Sequence, residues 1–174
     1  LPRGANACRN YGFEKSSGDY IQFFDSDDLM VPDFLEKKVF ALEKNNADYV
    51  VSKTLNFKDP NPNDILHKNE SYYQFENYPV THFNYVAQNI NWLTPDFMAK
   101  RDLAKRASFN ENLSSAQERN YFSKITALST NIFVLDEYLT YRRIHNNSTQ
   151  TKLRKNKKDH KYSYFKYCYE TYFD

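Results

Sequence analysis

Residues 1–53 alternate between helical and strand-forming patterns, and this alternation constrains the fold more than any other feature of the chain. A short helix is predicted over residues 5–17, followed by a buried strand over the apolar residues 20–24. A second helix begins near Pro32, and residues 48–53 form a second strand. This order is typical of an α/β protein whose strands run mostly parallel.

The rest of the chain is less regular. A polar surface loop is predicted over residues 54–70, and a strand over residues 91–100. Residues 115–128 are predicted to be helical and residues 131–138 to form a strand. The final stretch, residues 152–173, mixes Lys with Tyr and Phe and indicates an amphipathic helix.

Length and composition exclude several classes of protein. The 174 residues fit one globular domain, with 40% hydrophobic and 26% charged residues. The net charge of +2 and the lack of a recognised motif argue against a nucleic-acid binder. Two cysteines, Cys8 and Cys168, have no zinc-type spacing and are expected to be reduced thiols. No apolar run approaches the roughly 20 residues of a membrane span, so a cytoplasmic location is expected.

A carboxylate cluster, Asp25-Ser26-Asp27-Asp28, directly follows the first predicted strand. Ligands of open α/β sheets bind beyond the carboxyl ends of the strands. In an extended segment, Asp25 and Asp27 would point the same way, which suits a hard divalent cation such as Mg²⁺ or Mn²⁺. Such a cation can bridge two phosphates.

Two other roles are compatible with clustered carboxylates: capping of a helix and a calcium loop. Asp28 could cap the following helix or favour its dipole. A calcium loop is excluded, because Leu29 would take a ligand position and Met30 the position that requires glycine.

Five segments carry a resemblance to family 2 glycosyltransferases of the GT-A fold. Residues 4–12 resemble a glycine with an A-R-N-x-G-like helix. Residues 17–21 and 24–28 together resemble a G-x-Y-I strand that ends in D-x-D-D. Residues 109–118 resemble an F-x-E-x-L segment that ends in Gln-Glu, and residues 141–148 a late Y-R-x-H-x-x-S-like element.

The resemblance implies a mixed, mostly parallel sheet flanked by helices. The family's first βαβ unit, which binds the nucleotide base, would precede Leu1 and is expected to be absent from this sequence. Residues 1–150 would form the catalytic domain and residues 151–174 a basic, aromatic C-terminal segment.

The resemblance also assigns roles to individual residues. Glu118 would be the general base of an inverting reaction, with Gln117 and Trp92 on the acceptor side; for Trp92, core packing is an equal alternative. For Arg9, the alternative to donor binding is a structural ion pair. For His145, the alternative is a purely structural role. The donor-binding residues would be Arg9, Asp25, Asp27, Asp28 and His145, of which Asp25, Asp27 and His145 would hold the metal.

The implied activity is metal-assisted transfer from a nucleotide-sugar, with a UDP-sugar expected, to a hydroxyl of a glycan or lipid-linked acceptor. Assembly of a bacterial polysaccharide or glycolipid would fit this activity. An inactive nucleotide- or carbohydrate-binding module of the same fold is the alternative. The basic run of residues 152–158 is expected to be a solvated face, or else to attract an anionic membrane at the inner face of the cell.

Overall fold

A computed structural model describes residues 4–67, 70–145 and 157–174. The helices are α1 (Ala5–Lys15), α2 (Phe34–Lys44), α3 (Glu70–Tyr73), α4 (His82–Val86), α5 (Arg101–Ala104), α6 (Gln117–Leu128) and α7 (Lys157–Phe173). The strands are β1 (Tyr20–Gln22), β2 (Leu29–Met30), β3 (Tyr49–Lys58), β4 (Ile65–His67), β5 (Phe97–Lys100) and β6 (Ile132–Ile144). The domain boundary predicted near residue 150 lies outside the described residues.

The strands form one mixed sheet in the order β1-β5-β3-β6-β2, and β4 pairs with β3 beside this path. The long pairing of β3 with β6 is parallel, whereas the shorter pairings are antiparallel. Because β1 and β3 both run opposite to β5, the strands β1, β3 and β6 share one direction and contain most of the sheet residues. The predicted mixed sheet with a mainly parallel direction is confirmed.

The two faces of the sheet are covered by different packing partners. Tyr49 and Val51 lie in the larger core, together with aromatic residues of α4 and α6, while Val50 faces the other side and packs with Leu42 of α2. This alternation follows from the two-residue period of a strand. A sheet covered on both faces leaves its strand ends as the place where polar side chains can gather.

The prediction of a surface loop over residues 54–70 is wrong in its first part. The strand β3 continues to Lys58, and β4 pairs with its end. Thr54 and Asn56 are buried on β3, and Thr54 bonds to other buried polar groups, so its polarity does not mark a surface position. The strand β6 is also longer than predicted and ends at Ile144, because it follows β3 along its whole length.

The strand predicted over residues 91–100 is restricted to its last part, β5. A 3-10 turn at Thr94–Asp96 precedes it, with Pro95 inside the turn. Proline lacks the N–H that a sheet ladder requires, which explains the late start of this strand. In the part of the chain that the structure describes, no helix is both long and apolar enough to cross a membrane.

Candidate active site

The pairing of β2 with β6 brings the acidic loop, defined as residues 23–28, to the end of β6. In the antiparallel register, Leu29 lies opposite Tyr141 and Met30 opposite Thr140. The residues just before Leu29 therefore face those just after Tyr141. Two segments more than 100 positions apart in the chain are joined here by a two-residue strand.

The contacts between these segments are polar. The Nε2 atom of His145 lies 3.2 Å from Oδ2 of Asp27. The backbone N–H of Arg143 donates to Oδ1 of Asp28 at 3.0 Å, and its Nε donates to the backbone oxygen of Asp27 at 2.9 Å. Asp27 is exposed, with its imidazole partner alongside, and so this pair is open to a ligand.

Arg9 of α1 connects the acidic loop to the start of α6. Its Nη2 atom pairs with Oδ1 of Asp25 at 2.9 Å, and its Nη1 donates to Oε1 of Gln117 at 3.2 Å. The guanidinium also lies over the Phe109 ring, 5.2 Å from its centroid. The fixed fork of an arginine suits this bridging position, which a lysine could not match.

The segment that holds Asp25 and Asp27 is not extended, contrary to the prediction. β1 ends at Gln22 and the loop turns, with the Asp28 N–H bonded to the Asp25 oxygen at 3.3 Å. Asp25 consequently contacts Arg9 and Asp27 contacts His145. The role of Asp25 as a metal ligand stays a prediction.

Glu118 lies in the first turn of α6 and is partly exposed. Within the described residues, its carboxylate forms no hydrogen bond or ion pair, which leaves it able to accept a proton. The Glu118 carboxylate acts on the nearby hydroxyl of Tyr72. Burial, and secondarily the charge of Glu118, raise the pKa of this hydroxyl. Gln117, the residue before Glu118, accepts a hydrogen bond from Arg9. Arg9 therefore connects the helix that carries the expected base to Asp25 of the acidic loop.

The backbone just ahead of Glu118 is strained. Ala116 has a φ of 52°, in the left-handed region that residues with a Cβ rarely adopt. Such strain is found at functional sites when the surrounding structure holds it in place. Here the strained residue fixes the point where α6 begins, and with it the positions of Gln117 and Glu118.

Trp92 is fully buried, with an exposed fraction of 0%. Its ring packs against Tyr85 and Phe122, with centroid distances of 4.4 and 5.5 Å. A ring without exposed surface cannot be a platform for a sugar. The acceptor-side prediction for Trp92 is therefore corrected to the alternative of core packing.

Asn10 and Asn6 of α1 have a structural role. Asn10 exchanges two hydrogen bonds with the backbone of Phe109, both at 2.9 Å. Asn6 is buried and donates to the backbone oxygens of Asn110 and Leu113. Their spacing of four residues, with Arg9 between them, was the available signal: one polar helix face holds the segment that leads to Glu118.

The residues present fit a divalent cation in part. Among the described residues, no three His, Cys, Asp or Glu side chains are grouped closely enough to hold a metal ion by themselves. Asp27 and His145 nevertheless offer an oxygen and a nitrogen close together. Mg²⁺ commonly takes one or two protein carboxylates and completes its shell with water and substrate phosphates.

The half-buried carboxyl group of Asp28 makes the stability of the fold depend on pH. Burial raises the pKa of Asp28 to about 6, the Arg143 N–H lowers it, and Asp25 and Asp27 raise it further. The native state therefore binds this proton more tightly than the unfolded chain, and stability falls as the pH rises from about 4 to about 6. We expect Asp28→Asn to stabilise the fold at pH 8 by about 1 kcal/mol, allowing for partial exposure, with no gain below pH 4.

Urea unfolding at both pH values measures this effect. Asn keeps an oxygen that can accept the Arg143 N–H, so the hydrogen bond is retained. Asp64→Asn, at an exposed loop position, is the matched control and should show no such pH dependence. A stability profile of Asp28→Asn that parallels the wild type would contradict the assignment.

Comparisons with known proteins agree on the type of protein. The model of glycosyl transferase family 2 matches residues 2–126. An uncharacterized glycosyltransferase of Methanocaldococcus jannaschii is 26% identical over 162 residues, which cover 93% of this chain and 54% of that protein. An uncharacterized glycosyltransferase of Haemophilus influenzae is 48% identical over 44 residues, covering 25% of this chain and 18% of that protein.

Solved structures show the same fold. The crystal structure of S. aureus TarS 1-349 in complex with UDP-GlcNAc superposes with a TM-score of 0.65 and 21% identity, over 83% of this chain and 40% of that chain. The structure of TarS 1-349 in complex with UDP gives a TM-score of 0.60 and 20% identity, over 79% and 39% of the two chains. This chain thus spans about half the length of the M. jannaschii relative and less of TarS.

The sheet, its helices and the acidic loop at a strand end define a glycosyltransferase domain of the GT-A fold. The chain belongs to glycosyl transferase family 2, since the family model covers most of it.

Proposed function

We propose that this chain contributes the metal site and the general base of an inverting glycosyltransferase that uses a nucleotide-sugar. The observation that carries the proposal is the bridge made by Arg9, which joins Asp25 of the acidic loop to Gln117, the neighbour of Glu118. One guanidinium thereby couples the donor-binding segment to the helix that holds the base. A chain that only binds carbohydrate has no need of this coupling.

On the donor side, a diphosphate would lie against the acidic loop and the end of β6. Asp27 and His145 would hold Mn²⁺ or Mg²⁺, which when bound would supply positive charge to the diphosphate. Arg9, paired with Asp25, and Arg143, paired with Asp59 and bonded to the Asp27 backbone oxygen, place two guanidinium groups beside the loop. Positive groups placed where the leaving group gains charge lower the barrier more than they favour the ground state.

On the acceptor side, the Glu118 carboxylate would take the proton of the acceptor hydroxyl. That oxygen forms a bond to the anomeric carbon from the face opposite the leaving group. The bond from the anomeric carbon to the phosphate oxygen breaks, and the nucleoside diphosphate leaves with the electron pair. Attack passes through an oxocarbenium-like state, as in glycoside hydrolysis, and inverts the configuration.

A UDP-sugar is the proposed donor. The support is the fold shared with TarS, whose crystal structures contain UDP-GlcNAc or UDP. The proposed acceptor is a hydroxyl of a glycan or of a lipid-linked glycan in bacterial polysaccharide assembly.

Nucleotide binding and donor hydrolysis test the function. The intact protein is mixed with UDP-, GDP- and dTDP-sugars, with Mn²⁺ or with a chelator, and binding heat and sugar release are measured. We expect metal-dependent binding and slow hydrolysis of one donor class. Binding without any hydrolysis or transfer would favour the alternative of an inactive binding module, and no binding of any donor would overturn the proposal.

The side chains of α7 favour a membrane-bound acceptor, because the helix exposes many aromatic rings. Its inner face includes the buried Tyr167, together with Glu170 and Thr171, which accept hydrogen bonds from Asn110 and Asn120. Asp174, just after the helix, also accepts from Asn110 and Asn120 and pairs with Lys124. Its outer face is aromatic and strongly exposed: Tyr162 (71%), Phe165 (69%), Tyr169 (65%), Tyr172 (83%) and Phe173 (68%).

With Glu170 turned towards Asn110, the described part of α7 presents aromatic rings together with Lys161 and Lys166. Aromatic and basic residues on one helix face suit the surface of an anionic bilayer. We propose that α7 holds the domain at the inner face of the membrane, next to a lipid-linked acceptor.

Vesicle co-sedimentation measures this contact. The triple variant Phe165→Ser, Tyr169→Ser and Tyr172→Ser should lose at least tenfold of its affinity for vesicles with anionic lipid, whereas neutral vesicles should bind neither protein. The control is Phe83→Ser, an equally exposed aromatic residue on α4. Unchanged sedimentation of the triple variant would rule out this role for α7.

A further inference from the structure

Lys38 is a fully buried lysine on α2. Its position follows the buried stripe of the helix, where the other members are Phe34, Ala41 and Leu42. The ammonium nitrogen lies over the Phe34 ring, 4.2 Å from its centroid. A charged residue in a stripe of core residues is costly, since burial disfavours the charged form.

The surroundings of Lys38 match its protonated form. The Nζ atom donates to the backbone oxygens of Pro95 and Asp96 at 2.7 and 2.9 Å, and to Oε1 of Gln22 at 3.0 Å. An ammonium has three N–H donors, whereas a neutral amine has two. Three acceptors at hydrogen-bond distance therefore favour the charged state.

Asp96 supplies the opposite charge, with an exposed fraction of 0%. Its carboxylate accepts hydrogen bonds from Oγ1 of Thr54 at 2.6 Å, the hydroxyl of Tyr73 at 3.0 Å and the N–H of Leu93 at 2.8 Å. A carboxylate that accepts three bonds is favoured in its ionised form. Burial lowers the pKa of Lys38 and raises that of Asp96, and the attraction between the two opposite charges counteracts both shifts.

This buried pair holds the acidic loop at both of its borders. Gln22 is the last residue of β1, and its amide nitrogen donates to the Phe23 oxygen at 2.7 Å and to the Pro95 oxygen at 3.2 Å. Lys38 itself belongs to α2, the helix that follows the loop and β2. The ammonium thus ties the strand that enters the loop to the helix that leaves it.

We propose that Lys38, kept charged by Asp96, is a positioning residue that fixes the acidic loop for binding of the donor diphosphate. This inference rests on the proposed function for its consequence in donor binding. Its structural part, the ordering of the loop, does not. Neither residue touches the donor, and both act through Gln22 and the backbone that leaves β1.

The test uses Lys38→Met, which keeps the length of the side chain and removes the ammonium, and Gln22→Leu, which removes the link to the loop at a partly exposed position. Leu42→Val, a conservative change in the same buried stripe, is the matched control. Hydrogen exchange of residues 23–33 and Mn²⁺-dependent UDP binding are measured in the intact protein. We expect at least tenfold faster exchange and at least tenfold weaker UDP binding in both variants, and little change of either in Leu42→Val.

A pH profile separates positioning from general packing. Because burial lowers the pKa of Lys38, UDP binding of the wild type should weaken at an alkaline pH below the ordinary pKa of lysine, and this dependence should be absent in Lys38→Met. If Lys38→Met does not fold, Gln22→Leu decides by the same readouts. Wild-type exchange of residues 23–33 in the folded variants would overturn the positioning role. A wild-type protein that binds no nucleotide would overturn the proposed function, and the exchange data would then decide on positioning alone.

Discussion

Replacing Glu118 by Gln is expected to lower kcat for sugar transfer by about 10²- to 10⁴-fold, the contribution typical of a general base. Gln has nearly the same shape, but its amide cannot take the proton of the acceptor hydroxyl. Because Glu118 forms no ion pair or hydrogen bond among the described residues, the exchange should leave the fold intact. The loss should therefore fall on kcat, with KM for the donor within about twofold.

Steady-state kinetics with saturating acceptor measure this effect, and calorimetry with the nucleotide confirms that donor binding is retained. The matched control is Glu36→Gln, an exposed acid in the first turn of α2, as Glu118 is in the first turn of α6. Glu36→Gln should keep wild-type turnover. If Glu118→Gln turned over within tenfold of the wild type, the base would have to be another residue.

The second large effect is expected at Asp27. Asp27→Asn keeps the contact to His145 but removes the negative charge that a hard cation requires. We expect at least a tenfold loss of apparent Mn²⁺ affinity and about a hundredfold loss of turnover at fixed metal, since about 2.7 kcal/mol of electrostatic stabilisation corresponds to that factor. Raising the Mn²⁺ concentration should recover part of the activity.

A titration of Mn²⁺ against UDP binding and turnover provides the measurement. Asp25→Asn is the informative comparison, because Asp25 contacts Arg9 instead of His145. It should weaken donor binding without moving the Mn²⁺ midpoint. Asp64→Asn, at an exposed loop position, should change neither quantity. An unchanged Mn²⁺ midpoint in Asp27→Asn would remove Asp27 from the metal site.

The acidic loop shows how far a sequence argument reaches. The composition Asp25-Ser26-Asp27-Asp28 after a strand located the candidate site, because polar residues at a strand end are accessible whereas those within a buried strand are not. The expectation that Asp25 and Asp27 point the same way depended on an extended backbone, which the observed turn contradicts. Local backbone direction in a loop depends on contacts with distant segments, here Arg9 and the end of β6.

The burial of Lys38 and Trp92 could likewise not be predicted from the sequence, because it depends on distant residues. The sequence did not predict the burial of Lys38, whose partners Pro95 and Asp96 are about 57 positions away. Trp92 carries an indole N–H that pattern rules cannot place inside or outside. Only the packing of Tyr85 and Phe122 around it shows that the ring belongs to the core.

The sequence by itself determined the alternation of helices and strands, the position of the acidic loop at a strand end and the motifs that indicate the family. These features depend on residues that are neighbours in the sequence, so local sequence patterns are sufficient to predict them. Only the tertiary structure decided that Asp27 meets His145, that Arg9 connects Asp25 with Gln117, and that Lys38 lies beneath the loop. Those contacts join residues up to 118 positions apart, and they arise from the register of β2 on β6 and the packing of α1 and α2, which no local pattern encodes.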